Sequence, residues 1–168
     1  MKCRLVPCFI VLFFAFESAL AEHPLLVSVR LAETDFKNWR YGHRLHRKQL
    51  NCVQFVVVVV EELLKRELTA EERRAILISN VGRRSNLPRL INQDDKRIRG
   101  IQTALVEMNK GEIIQPSEAK PGDFIEDNGL RCAAIFGSHQ SLGGVGIADF
   151  EVGLNDPNVR TYLVRFKP

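Results

Sequence analysis

The spacing of apolar and polar residues predicts helices in the first part of the chain. Residues 55–60 form an unbroken apolar run that continues into the amphipathic residues 61–67 without an intervening glycine, proline or asparagine. A strand would need a turn residue at that junction, so the pattern favours one helix over about residues 52–67 with a fully buried first half. Asn51 is a suitable N-cap for this helix.

Three other segments in this part of the chain have residue patterns that predict secondary structure. Thr69 and Glu72 form a capping-box sequence, which predicts a helix from there to about residue 79. A third helix over residues 95–110 places apolar side chains on one face and ends at Gly111. Near the N-terminus, apolar residues alternate with others at Leu25, Val27, Val29 and Leu31. This alternation predicts an edge strand or an extended arm.

The last third of the chain is typical of β structure. Short runs rich in β-branched and aromatic residues predict strands at residues 113–114, from 124, at 132–136, at 145–152 and at 161–166. Asp127-Asn128-Gly129 is a hairpin signal after the second of these. Helices followed by strands indicate an α+β domain, with N-terminal helices packed on a small antiparallel sheet.

Residues 1–21 are typical of a signal peptide. Lys2 and Arg4 precede an apolar stretch over residues 5–16, and Ala19 and Ala21 fit the small-x-small pattern before a cleavage site. The stretch is short for a membrane-spanning helix, although an uncleaved anchor is the alternative. We expect cleavage after Ala21, a secreted or periplasmic product, and a single domain over residues 22–168. No other segment is apolar enough for stable membrane insertion.

Composition narrows the function classes. Hydrophobic residues make up 45% and charged residues 26% of the 168 residues, which argues against a disordered chain. The formal charge is +4, and removal of residues 1–21 leaves 147 residues with 22 Lys and Arg against 19 Asp and Glu. A balance of +3 is too weak to indicate a nucleic-acid partner.

Three motifs carry the candidate chemistry. Tyr41-Gly42 is followed by Asn51-Cys52-Val53-Gln54-Phe55-Val56; Lys120-Pro121-Gly122-Asp123 follows much later; and Ser138-His139 lies between a predicted strand and a glycine-rich loop. In this order and spacing, over residues 39–166, the chain resembles the NlpC-like and CHAP-like peptidoglycan hydrolases, which are papain-like cysteine peptidases or amidases.

The resemblance implies roles for four residues. Cys52 would be the nucleophile at the N-terminus of a buried helix, and His139 the base or the group that orients it. Tyr41 and Ser138 would lie beside the substrate, an amide of a peptidoglycan stem peptide. The family pattern implies no cofactor and no metal, and leaves the oligomeric state open.

Physical chemistry agrees with part of this assignment. A helix N-terminus favours the anionic thiolate over the thiol, so a capped Cys52 meets one requirement of a nucleophile. We expect Asp123 to build the turn of its motif rather than to act in catalysis. His43 and His46 have the i, i+3 spacing of a metal pair, but the absence of nearby acidic or thiol ligands favours a solvated basic loop.

The sequence also departs from the family pattern. The strand expected to begin with Gly-His, and to carry the base, is absent: residues 129–136 read GLRCAAIF. The domain is therefore expected to be short of one strand. Three hypotheses stay open: a Cys52–His139 hydrolase, a catalytically impaired binding module of the same fold, and a secreted module stapled by a Cys52–Cys132 disulfide.

Overall fold

The computed structural model describes residues 22–42, 44–77, 99–127, 134–136, 147–148 and 161–168. The predicted signal peptide lies outside these residues. The helices of the described part are α1 (Pro24–Glu33), α2 (Cys52–Leu64), α3 (Ala70–Leu77) and α4 (Gly100–Glu107), with 3₁₀ helices at Leu45–Arg47 and Pro116–Glu118. Its strands are β1 (Arg40–Tyr41), β2 (Gln49–Leu50), β3 (Gly111–Ile114), β4 (Phe124–Asp127), β5 (Ala134–Phe136), β6 (Ile147–Ala148) and β7 (Thr161–Phe166).

The predicted α+β class is confirmed. The main sheet has the order β3-β7-β4-β5-β6, in which β3, β7, β4 and β5 pair antiparallel and β6 joins β5 in parallel. A separate parallel pair, β1 and β2, precedes α2. Each predicted strand of the last third overlaps a described strand, and β7, the last in the chain, lies between β3 and β4.

The prediction for the N-terminal segment was wrong, because it is helix α1 and not a strand. Pro24 occupies the first turn, where its missing N–H costs nothing, and the His23 ring accepts a hydrogen bond from the Leu25 N–H. Val27 and Leu31 are four residues apart and both buried, as on one face of a helix. The alternating apolar residues include this i, i+4 pair, so they fit a helix as well as a strand. Packing against α2 favours the helix.

The predicted continuous helix after Asn51 is confirmed as α2. Its first half is buried, and it ends at Lys65, which adopts left-handed backbone geometry with φ 52°. Exposed ion pairs connect its C-terminal end to α1: Glu62 accepts hydrogen bonds from Arg30 and Lys65, which lower the pKa of its carboxyl. None of the described helices is long and apolar enough to cross a membrane.

The main sheet separates two apolar clusters. Phe124 and Val164, which pair across β4 and β7, belong to the large core shared with α1, α2, α3 and α4. The next pair, Ile125 and Leu163, lies in a second small cluster with Ile114. Successive residues of a strand point to opposite faces, so β4 and β7 are covered on both sides. The sheet is therefore a rigid support for the turns at its ends.

Candidate active site

Cys52 is the first residue of α2, and its position is set by a reciprocal cap. The Asn51 side chain accepts a hydrogen bond from the Gln54 N–H at 2.8 Å, and the Gln54 side chain accepts one from the Asn51 N–H at 3.0 Å. Asn51 is fully buried, whereas Cys52 is partly exposed. The predicted cap is confirmed, and Cys52 is the first residue of a buried helix, partly buried against the core cluster.

Apolar packing immobilises this end of α2. Val53 and Phe55, in the first turn, are fully buried. The Phe36 ring packs edge-on against Phe55 at 5.9 Å and against Trp39 at 5.0 Å between ring centres. The segment that leads into β1 is thus held against the first turn of α2. A side chain at the start of α2 is carried by a fixed backbone.

The main chain of Tyr41 lies beside the residue that precedes the cap. In the β1–β2 pair, Tyr41 is opposite Leu50, and the Gly42 N–H donates to the Leu50 carbonyl at 3.2 Å. Leu50 is almost fully buried and directly precedes Asn51. The structure therefore brings the Tyr41-Gly42 motif next to the Cys52 motif. The two motifs are about ten residues apart in the sequence, and that separation alone did not predict the contact.

The Lys-Pro-Gly-Asp motif is a structural turn, which confirms the role predicted for Asp123. The Asp123 N–H donates to the Lys120 carbonyl at 3.0 Å, and the Lys120 N–H donates to Oδ2 of Asp123 at 2.6 Å. Arg165 on β7 donates two hydrogen bonds to the same carboxylate, from Nε to Oδ1 at 2.9 Å and from Nη2 to Oδ2 at 3.0 Å. Both carboxylate oxygens are engaged in the turn and in the ion pair, and the side chain is only 3% exposed.

Several predicted site residues lie outside the described residues: Ser138, Cys132, His139 and His43. Their roles stay predictions. The strands on either side of Ser138 and His139 are β5, which contacts α1 and α2, and β6, which pairs with β5 in parallel. His46 is exposed on the first 3₁₀ helix. Within the described part of the chain, no group of three or more His, Cys, Asp or Glu residues could hold a metal ion.

Three contacts around the site were not predicted. Arg165 is one, because only the tertiary pairing of β7 with β4 brings it to Asp123. The buried Glu126 carboxylate is another, and it accepts a hydrogen bond from the Ile101 N–H in the first turn of α4. The third is the close packing of the His23 ring on Gly122, which has φ +98°. The glycine of the motif was the one signal in the sequence that pointed to a left-handed residue there.

Comparison with protein-family models, with curated proteins and with solved structures found no match. The family resemblance therefore stays a prediction from the sequence motifs.

Proposed function

We propose that this chain is an exported cysteine peptidase or amidase of papain-like architecture that acts on peptidoglycan stem peptides, with Cys52 as its nucleophile. The observation that carries the proposal is the placement of a partly exposed Cys52 at the first residue of a buried helix with a reciprocal cap. A thiol there is next to the positive end of the helix dipole, which favours the reactive thiolate.

The surroundings of the thiol fit the same chemistry. The buried face of α2 holds the nucleophile in one position, and the β1–β2 pair brings the main chain of Tyr41 alongside for substrate contacts. The Asp123 turn is rigid and starts strand β4, whose partner β5 leads toward Ser138 and His139. Preorganisation of this kind is what a nucleophile at a fixed attack distance requires.

The proposed reaction has two steps. Cys52 passes its thiol proton to His139, its Sγ attacks the carbonyl carbon of a stem-peptide amide, and N–H groups at the start of α2 stabilise the oxyanion of the tetrahedral intermediate. The C–N bond then breaks, and the amine leaves with a proton from His139. Water, deprotonated by His139, attacks the resulting thioester and releases the carboxylic acid and the Cys52 thiol.

The experiment measures cleavage of purified muropeptides by mass spectrometry of the products. We expect Cys52→Ala and His139→Gln to abolish product formation. The matched control is His46→Gln, because His46 is exposed on a 3₁₀ helix and has no role in the proposal. Product formation that survives Cys52→Ala would reject the assignment.

A catalytically impaired binding module is the second candidate, and one observation favours it. The antiparallel partner that follows β4 is β5, and neither Ala134–Phe136 nor the residues between Asp127 and Ala134 include a histidine. In the family pattern this strand begins with the base. Retention of muropeptides without turnover, unaffected by Cys52→Ala, would favour this candidate over the hydrolase.

A count of free thiols distinguishes the disulfide-stapled module from the hydrolase and from the binding module. Two thiols that react with a maleimide in the oxidised, processed protein would exclude a Cys52–Cys132 bond. A count of zero would remove Cys52 as a nucleophile and leave the bond as the explanation for its position.

A further inference from the structure

A turn between α1 and α2 concentrates positive charge beside the start of α2. It carries five cations and one exposed leucine, and we call these residues the basic turn: Lys37, Arg40, Arg44, Leu45, Arg47 and Lys48. No aspartate or glutamate occurs between Asp35 and Glu61. All five cations are exposed, and Leu45 retains 52% of its accessible surface.

Several cations elsewhere on the described surface are neutralised by carboxylates of the protein. Arg30, Lys65, Arg66 and Arg73 each pair with a carboxylate of α2 or α3, and two of them also with Glu22. In the basic turn, by contrast, no side chain forms an ion pair or a hydrogen bond within the described part of the chain. No described residue therefore neutralises their positive charge, which is available to an external anion.

The backbone holds these like charges close together. The Arg40 N–H donates to the Lys48 carbonyl at 3.0 Å, which brings the main chains of two cationic residues together at the β1–β2 pair. The Arg47 and Gln49 N–H groups both donate to the Arg44 carbonyl, and this tightens the 3₁₀ turn that presents Leu45. Repulsion between neighbouring cations is unfavourable unless an anion relieves it. The arrangement is thus better suited to a bound state than to the free protein.

The exposed Leu45 indicates which kind of anionic partner fits the basic turn. A single exposed leucine is ordinary on a protein surface, but this one lies between Arg44 and Arg47 at the tip of the turn. A soluble polyanion offers nothing apolar to it. The aromatic residues Phe36 and Trp39 pack into the core cluster and are not free to stack on nucleotide bases. A bilayer surface provides both anionic headgroups for the cations and an apolar boundary for the leucine.

We propose that the basic turn docks the protein on an anionic lipid surface, with the cations among the headgroups and Leu45 at the acyl boundary. This peripheral contact needs no membrane-spanning helix and does not depend on the proposed hydrolase activity. Since β2 continues directly into Asn51 and Cys52, docking would hold the start of α2 close to the bilayer.

The test measures co-sedimentation of the full chain with vesicles of phosphatidylglycerol and phosphatidylcholine, against vesicles of phosphatidylcholine alone, while the lipid concentration is varied. Each surface cation removed should weaken anionic-vesicle binding about fivefold at low salt. We therefore expect Arg44→Gln with Arg47→Gln to lower the affinity by at least about tenfold. The control pair Arg74→Gln with Lys167→Gln removes equal charge from exposed sites elsewhere and should change it less than about twofold.

A second comparison isolates the leucine. Leu45→Ser should weaken anionic-vesicle binding about threefold to tenfold, whereas Leu26→Ser, at a 64% exposed position on α1, should leave it unchanged. All variants carry the same residues 1–21, so those residues cannot produce the differences. Equal losses in the two charge pairs, indifference to Leu45→Ser, or equal binding to neutral vesicles would each overturn the proposal.

Discussion

At the start of α2, the side chains of Asn51 and Gln54 each accept a hydrogen bond from the other residue's backbone N–H. The Asn51 side chain is 2.8 Å from the Gln54 N, and the Gln54 side chain is 3.0 Å from the Asn51 N. Asn51 is fully buried, so water cannot replace either bond. This pair fixes the backbone from which the Cys52 side chain projects.

Removal of the cap should therefore destabilise the protein. We expect Asn51→Ala to lower the free energy of unfolding by about 1–2 kcal/mol, and Asn51→Asp or Asn51→Ser to retain most of it because each keeps an acceptor. Chemical denaturation monitored by circular dichroism measures this. An unchanged denaturation midpoint for Asn51→Ala would contradict the role of the cap.

The Asp123–Arg165 pair should be important for stability. We expect Asp123→Ala to cost about 2–4 kcal/mol, because it removes two of the three hydrogen bonds of the guanidinium and the acceptor for the Lys120 N–H. Asp123→Asn keeps an acceptor for the turn and should cost less. Arg165→Lys tests the forked geometry: if it matches the wild type in thermal unfolding, the two-point contact is not what stabilises the turn.

Glu72 makes the stability of the protein dependent on acid pH. A hydrogen bond from Arg66, followed by one from the Thr69 N–H, lowers the pKa of its carboxyl from 4.5 to about 2. Because the folded-state pKa is depressed, this stabilisation is fully present above pH 4.5 and is lost as the pH falls toward 2.

Glu72→Gln should consequently cost about 1 kcal/mol near neutral pH, and this difference from the wild type should shrink between pH 4.5 and 2. Unfolding midpoints measured across that window give the comparison. Glu71→Gln is the control, since Glu71 is exposed in the same turn without such contacts in the described part of the chain. A Glu72→Gln difference that stayed constant with pH would rule out the ion pair as its source.

Gly122 and His23 should show energetic coupling. A Cβ at position 122 would overlap the His23 ring, and the φ of +98° is unfavourable for any side chain. We expect Gly122→Ala to cost about 1–3 kcal/mol, and to cost less in a His23→Ala background, where only the backbone strain remains. Unfolding free energies of the two single variants and the double variant measure this coupling. The same cost in both backgrounds would show that the ring is not the obstacle.

Much of the local structure could be predicted because its causes lie within four residues. The Asn51 cap and the Thr69–Glu72 capping box are both present, since each needs only an acceptor side chain and an N–H three residues away. The alternation of side chains over residues 161–166 likewise predicted a strand, and it is β7. Segment 25–31 failed by the same local logic, because its apolar spacing satisfies a strand and a helix equally.

The sequence by itself determined the α+β class, the capped helix that begins at Cys52 and the turn built by Asp123. Only the tertiary structure decided that residues 24–33 are a helix, that β7 inserts between β3 and β4, and that Arg165 reaches Asp123 from 42 residues away. The physical reason is the sequence distance between the residues that interact. Caps and turns are decided by neighbours in the chain, whereas strand order and ion pairs between strands depend on which surfaces the whole core buries together.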